Sequence, residues 1–180
     1  MNTKLVSREE ITKIAAGLRV DNKRIVTTNG TFDILHIGHV QLLEDAKALG
    51  DVLIVGLNSD TSVKQYKGDK RPINTQEDRA RVLSAFTCVD YVVMFDEPEP
   101  SALLECIKPN IHVKAADYTL ETNKEQQHTK IWERETVEKN GGVVKLLPLI
   151  AGKSTTNIIK NIIAVYQNAD TFKECLGKKN

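Results

Sequence analysis

The sequence predicts an α/β protein built on a five-stranded parallel sheet with helices on both faces. Three observations predict it. Short apolar runs rich in β-branched residues recur along the chain, as in Asp51–Leu57 (DVLIVGL) and Val89–Phe95 (VDYVVMF). Each is followed by a stretch of helical periodicity, and near-continuous apolar strands alternating with helices indicate a parallel sheet covered on both sides. The polar motifs fall directly after strands, where sheets of this kind bind ligands beyond the carboxyl ends.

The elements follow in order. Residues 7–18 read as a helix, with Ser7 as cap, Glu10 at the capping-box position and Ile11, Ile14, Ala15 and Leu18 on one face. Lys23–Thr28 reads as the first strand, and His39–Leu49 as a helix ended by Gly50. Asp51–Leu57 is the second strand, and the run Lys64–Arg71 after it reads as a glycine-containing basic loop. Thr75–Phe86 is a helix capped by Thr75, Val89–Phe95 a strand, and Ser101–Lys108 a helix stopped by Pro109. Ile111–Ala115 is the fourth strand, a polar helix follows within 121–139, and Gly141-Gly142 breaks it. Val143–Leu147 is the last strand and Ser154–Gln167 the closing helix. The domain reading is a helical arm over 1–22, one domain over 23–167 and a tail over 168–180.

The chain of 180 residues suits one core, and 41% hydrophobic with 27% charged residues is ordinary for a soluble protein. A net charge of +1 supplies no field for nucleic acid or a membrane surface, and no apolar run is long enough to span a bilayer. The N-terminus carries no secretory hydrophobic region, so a cytoplasmic location is expected. The three cysteines, Cys88, Cys106 and Cys175, form no CxxC pair, so no metal site is assigned.

The most informative stretch is Gly30-Thr31-Phe32-Asp33-Ile34-Leu35-His36-Ile37-Gly38-His39. Two histidines three apart at a strand-to-helix junction, beside small residues, suit nucleotide phosphates, because a helix N-terminus attracts anions. Two imidazoles there are able to donate to charge that builds on a phosphoryl group under attack. Lys153 with Ser154, Thr155 and Thr156 opens the last helix, with more hydroxyls than one cap requires. Lys64, Lys67, Lys70 and Arg71 stand after the second strand, where Lys67 and Arg71 are the candidates to close over a phosphate. Arg79 lies in the first turn of its helix, where a cation opposes the dipole, and such a local misfit marks a candidate nucleotide contact, narrowly ahead of a structural ion pair. Asp117, after the fourth strand, is placed to hold a ribose or sugar hydroxyl, or a metal. His112 reads as structural, and His128 and Trp132 as one helix face.

The histidine segment resembles the HxGH signature of the nucleotidyltransferase superfamily, a Rossmann-like fold, and within it the cytidylyltransferase-like branch. Asn58-Ser59-Asp60, Lys67-Gly68, Arg71-Pro72-Ile73, Glu77-Asp78-Arg79, Val113-Lys114, Asp117-Tyr118-Thr119 and Gly152-Lys153-Ser154-Thr155-Thr156 follow in order. Together they resemble the adenylyltransferase domains that make ADP-heptose from ATP and heptose 1-phosphate, over roughly residues 24–163. The resemblance implies transfer of AMP from ATP to D-glycero-β-D-manno-heptose 1-phosphate, release of pyrophosphate, Mg²⁺ carried mainly by substrate, a stand-alone form without the fused sugar kinase, and a homodimer. It implies that His36, His39 and Lys153 are catalytic. Gly30, Thr31, Phe32, Gly38, His39, Arg79, Asp117, Ser154, Thr155 and Thr156 would bind ATP, and Asp33, Asn58, Lys67 and Arg71 the acceptor, with Asp33 orienting the sugar phosphate or a loop. The chain departs from the family in reading Lys114-Ala115-Ala116-Asp117 where relatives carry Gly-Gly before the aspartate. Glycerol-3-phosphate cytidylyltransferase has an arginine where this chain has Leu149, and a flavin-adenylating relative would need an aromatic slot that 5% aromatic residues poorly supply. A degenerate nucleotide-binding module, the non-enzymatic alternative, would be expected to have lost its charged groups first.

Overall fold

The computed structural model describes residues 4–115 and 133–166. Five parallel strands, β1 (Ile25–Gly30), β2 (Val52–Asn58), β3 (Tyr91–Phe95), β4 (Ile111–Ala115) and β5 (Val143–Leu147), lie in the order β3-β2-β1-β4-β5. Seven helices are described: α1 (Arg8–Val20), α2 (Ile37–Ala48), α3 (Asp60–Lys67), α4 (Gln76–Ala85), α5 (Ser101–Ile107), α6 (Glu133–Lys139) and α7 (Thr155–Tyr166).

Alternation along β2 splits the core. Leu53, Val55 and Leu57 join Leu43, Ala46, Ala80 and Leu83 under α2 and α4, while Ile54 meets Ile11, Ala15, Leu103 and Ile107 under α1 and α5. Each fully buried Leu or Ile of this kind contributes about 1.5–3 kcal/mol. The helix read as an arm is therefore packed on the sheet, and its Ser7–Glu10 capping box is formed. Close approach explains Gly142, where a Cβ would stand 2.2 Å from the Pro109 carbonyl oxygen.

Two elements differ from the sequence reading. The basic run expected as a loop begins as helix α3, capped by the Ser59 hydroxyl, which accepts from Ser62 N–H at 3.1 Å. Its serine cap sits inside the motif Asn58-Ser59-Asp60, which hid it as a helix start. Helix α2 begins two residues before the expected position because His36, not a serine or aspartate, caps it. The expected polar helix is described only as α6, its earlier part and the tail 168–180 lying outside the described residues.

The strand order reverses at β1, with β2 on one side and β4 on the other. The crevice at the carboxyl ends of β1 and β4 is thus the switch point at which open α/β sheets take ligands.

Candidate active site

A cleft of about 240 Å³ opens at that switch point. Its walls come from the β1 end (Thr28 to Phe32), the first turn of α2 (His36, Gly38, His39, with Leu42), the β4 end (Lys114, Ala115) and the approach to α7 (Leu149, Lys153, Ser154). Among the described residues the lining holds Lys114, Lys153 and no carboxylate, and Lys153 beside the start of α7 favours an anionic ligand.

The histidines are fixed by the backbone. His36 Nδ1 accepts from Gly38 N–H at 3.1 Å, and His39 Nδ1 accepts from His36 N–H at 3.3 Å. An amide N–H only donates, so both Nδ1 atoms are bare and each neutral ring carries its proton on Nε2. Burial, then His36 and Lys67, push the His39 pKa down to about 4, and burial lowers that of His36. Near neutral pH the pair offers two Nε2–H donors. The rings stack with centroids 3.9 Å apart, and Phe32 packs on His39 at 5.5 Å. Gly38 lets this happen, since a Cβ there would lie 3.0 Å from the His36 ring. Phe32 holds a left-handed φ of 47°, a conformation that costs an ordinary residue roughly 1–2 kcal/mol and is stored where the loop wraps the site.

Across the cleft, Ser154 caps α7 by accepting from Asn157 N–H at 3.1 Å. Thr155 donates its hydroxyl to the Ile34 carbonyl at 3.2 Å and so ties α7 to the histidine loop. Thr156 is exposed on the first turn, outside the cleft lining. Lys67 ends α3, and its charge reaches His39. Partial burial and then Arg71 lower the Lys67 pKa, with Asp33 opposing. Beside it, the Tyr66 hydroxyl pairs with Thr31 Oγ1 at 2.6 Å.

Four residues predicted as contacts are held by the fold outside the cleft wall. Arg79 is absent from the lining of the cleft. Its side chain is 1% exposed and donates to the carbonyls of Thr31 (2.5 Å), Asn58 (2.9 Å) and Asn74 (3.2 Å) and to Asp60 Oδ1 (2.7 Å). Strand ends leave carbonyls that need donors, and a buried guanidinium supplies several. Asn58 is buried, with Nδ2 bonded to Ser62 Oγ at 3.0 Å, and lines no wall of the cleft. Asp33 is absent from the cleft lining and takes Arg71 (2.7 Å) and the N–H groups of Ile73 and Asn74. Burial alone would raise its pKa, but those donors outweigh it and hold the carboxyl below the ordinary range. Asp33 and Arg71 are thus joined to each other, and Asp33 to the backbone of Ile73 and Asn74. His112 is buried in the sheet against Thr27 Oγ1 at 2.8 Å. Asp117, Ala116, His128 and Trp132 lie outside the described residues.

The sequence reading missed Asn29 and Lys114 as cleft residues. The available signal was position: both end strands flanking the switch point. Leu149, the residue that separated this chain from the cytidylyl enzyme in sequence, lies on the cleft wall.

Comparison with known proteins places this geometry. Residues 27–161 match the model of the cytidylyltransferase-like family. The chain is 44% identical over 165 residues to the bifunctional protein HldE of Geobacter sulfurreducens, covering 92% of this chain and 32% of that one. It is 47% identical over 161 residues to HldE of Aliarcobacter butzleri, covering 89% and 31%. The chain thus spans about a third of the length of these relatives. A lipopolysaccharide core biosynthesis protein of Thermoplasma volcanium superposes with a TM-score of 0.55 at 26% identity, covering 71% of this chain and 97% of that one. A pantoate-β-alanine ligase of Francisella tularensis, at TM-score 0.56 and 15% identity over 92% of this chain and 78% of that one, shares the fold.

Proposed function

Because the chain belongs to the cytidylyltransferase-like family, we propose that it transfers AMP from ATP to D-glycero-β-D-manno-heptose 1-phosphate, giving ADP-heptose and pyrophosphate. The observation that carries the chemistry is the convergence of two neutral Nε2–H imidazoles with Lys153 and Ser154 on one cleft. The resemblance of the ordered motifs to ADP-heptose-making domains supports the acceptor.

A phosphate oxygen of the sugar attacks the α-phosphorus of ATP. That P–O bond forms as the bond to the bridging oxygen breaks, and pyrophosphate leaves with the electron pair. The acceptor is already ionised, so no protein nucleophile is required and catalysis is positioning with charge stabilisation. His36 and His39 donate to the α-phosphoryl oxygens as charge grows on them. Lys153 and Ser154, with the first turn of α7, take the leaving pyrophosphate. Backbone at Gly30, Thr31 and Phe32 holds the nucleotide, and Lys67 meets the acceptor phosphate. Asp33 and Arg71 brace the loop through Asn74. Mg²⁺, carried in with ATP, would offset the charge of the phosphates that Lys153, Ser154 and the histidines meet. A cytoplasmic setting and a homodimer complete the proposal, the latter testable by light scattering. Among the described residues no helix is long and apolar enough to cross a membrane.

Pyrophosphate release with the heptose 1-phosphate, run with ATP, CTP and GTP in parallel, tests the reading. Release with ATP alone is expected. Release only with CTP would move the base specificity, and no release with any would remove the acceptor.

A further inference from the structure

At the bottom of the crevice, β1 and β4 carry a polar pair that the proposed mechanism leaves idle. Thr28 pairs with Val113, which sets Asn29 beside Lys114 on one face of the sheet. Lys114 Nζ donates to Asn29 Oδ1 at 3.1 Å and to Glu133 Oε1, at the start of α6, at 2.6 Å. The Lys114 and Glu133 side chains are only 10% and 7% exposed. A buried ion pair costs desolvation and returns little net stability, so its placement in a ligand cleft asks for a role. The orientation of Asn29 supplies one. An ammonium has no acceptor, so the amide must turn Oδ1 toward Lys114, and its Nδ2–H donors point away from it. Gly56 on β2 leaves room for this side chain, since a Cβ there would come 3.3 Å from Asn29 Cβ.

We infer that Asn29 is a nucleotide-binding residue, donating from Nδ2 to a ribose or α-phosphate oxygen, and that Lys114 and Glu133 are positioning residues that fix its amide. The inference rests on the nucleotidyl-transfer reading above. The switch-point position and the adjoining phosphate loop favour the nucleotide over the sugar.

The test is MgATP affinity by calorimetry, without acceptor. Asn29→Ala is expected to weaken binding about three- to tenfold, the worth of one hydrogen bond. Asn29→Asp, which keeps an oxygen toward Lys114 but has no N–H, is expected to lose at least as much while its Tm holds. The paired variant Lys114→Met/Glu133→Gln, which leaves no orphaned charge, is expected to weaken binding similarly, and adding Asn29→Ala to it to cost less than about twofold more, as for residues acting in series. Unchanged affinity in Asn29→Ala or Asn29→Asp, a defect confined to heptose 1-phosphate, or fully additive losses would overturn the inference. If the wild type binds CTP and not ATP, the adenylyl reading fails, while the same cycle run with CTP still decides the role of Asn29. A wild type that binds no nucleotide overturns both.

Discussion

The first turn of α2 and the network around Arg79 both gather polar side chains just beyond strand ends, yet they use them in opposite ways. At α2 the backbone takes only the Nδ1 side of each imidazole and leaves Nε2 to the cleft. Around Arg79 the protein consumes the hydrogen-bonding capacity itself: three carbonyls and Asp60 claim the guanidinium, and Arg71 and two backbone N–H groups claim Asp33. A charged residue in the right place is thus a ligand site only if the fold does not need it first. The first region predicts chemistry lost without unfolding, the second unfolding before chemistry.

The largest effect is expected from His39→Ala, which removes one transition-state donor and should cost on the order of 10²–10³ in kcat with Tm nearly unchanged. Steady-state kinetics beside a melting curve checks both halves. Arg79→Met reverses the pattern: stability should drop by about 3 kcal/mol or more as buried acceptors lose their donor, while KM for ATP in the folded fraction stays near that of the wild type. Denaturant titration reads the loss, and a selective rise in KM would restore Arg79 to the site. Gly38→Ala should push the His36 ring from its amide and cost roughly tenfold or more in kcat, because small misplacements at the reacting centre are expensive. The smallest effect concerns pH. His39 and His112 titrate in the folded protein at about 4 and about 3, below their ordinary value of 6.5, under burial first. Between pH 6.5 and 4 the unfolded chain therefore binds protons that the folded one refuses, so stability falls as pH drops through that window. Thermal melts from pH 7 to 5 should show a decline of a few degrees, shallower in His112→Asn.

How much of this was legible in sequence follows the same division. Strands β2 and β3 were the most readable because their runs are apolar and mostly buried between the helices of the two faces. His36, His39, Lys153 and Ser154 were readable as cleft residues because they follow strands at the end where such sheets bind ligands. Helix α3 was missed because its cap, Ser59, lay inside the motif Asn58-Ser59-Asp60 and the basic run Lys64–Arg71 after it read as a loop. Arg79 was misread because its misfit with the helix dipole marks a special residue without saying whether ligand or backbone needs it. Only the packed chain brings the carbonyls of Thr31, Asn58 and Asn74 to one guanidinium. Lys114 was missed because its partner Glu133 is distant in sequence and joins it only through the docking of α6.

One measurement sets the two regions against each other: ¹⁵N spectra of the protein's histidine Nε2 and arginine Nε groups, recorded with and without MgATP. The His36 and His39 Nε2 signals are expected to begin as neutral N–H donors and to shift on nucleotide addition, while Arg79 Nε stays in place. Histidine signals that do not respond, or an Arg79 signal that moves with them, would contradict the assignment of the cleft.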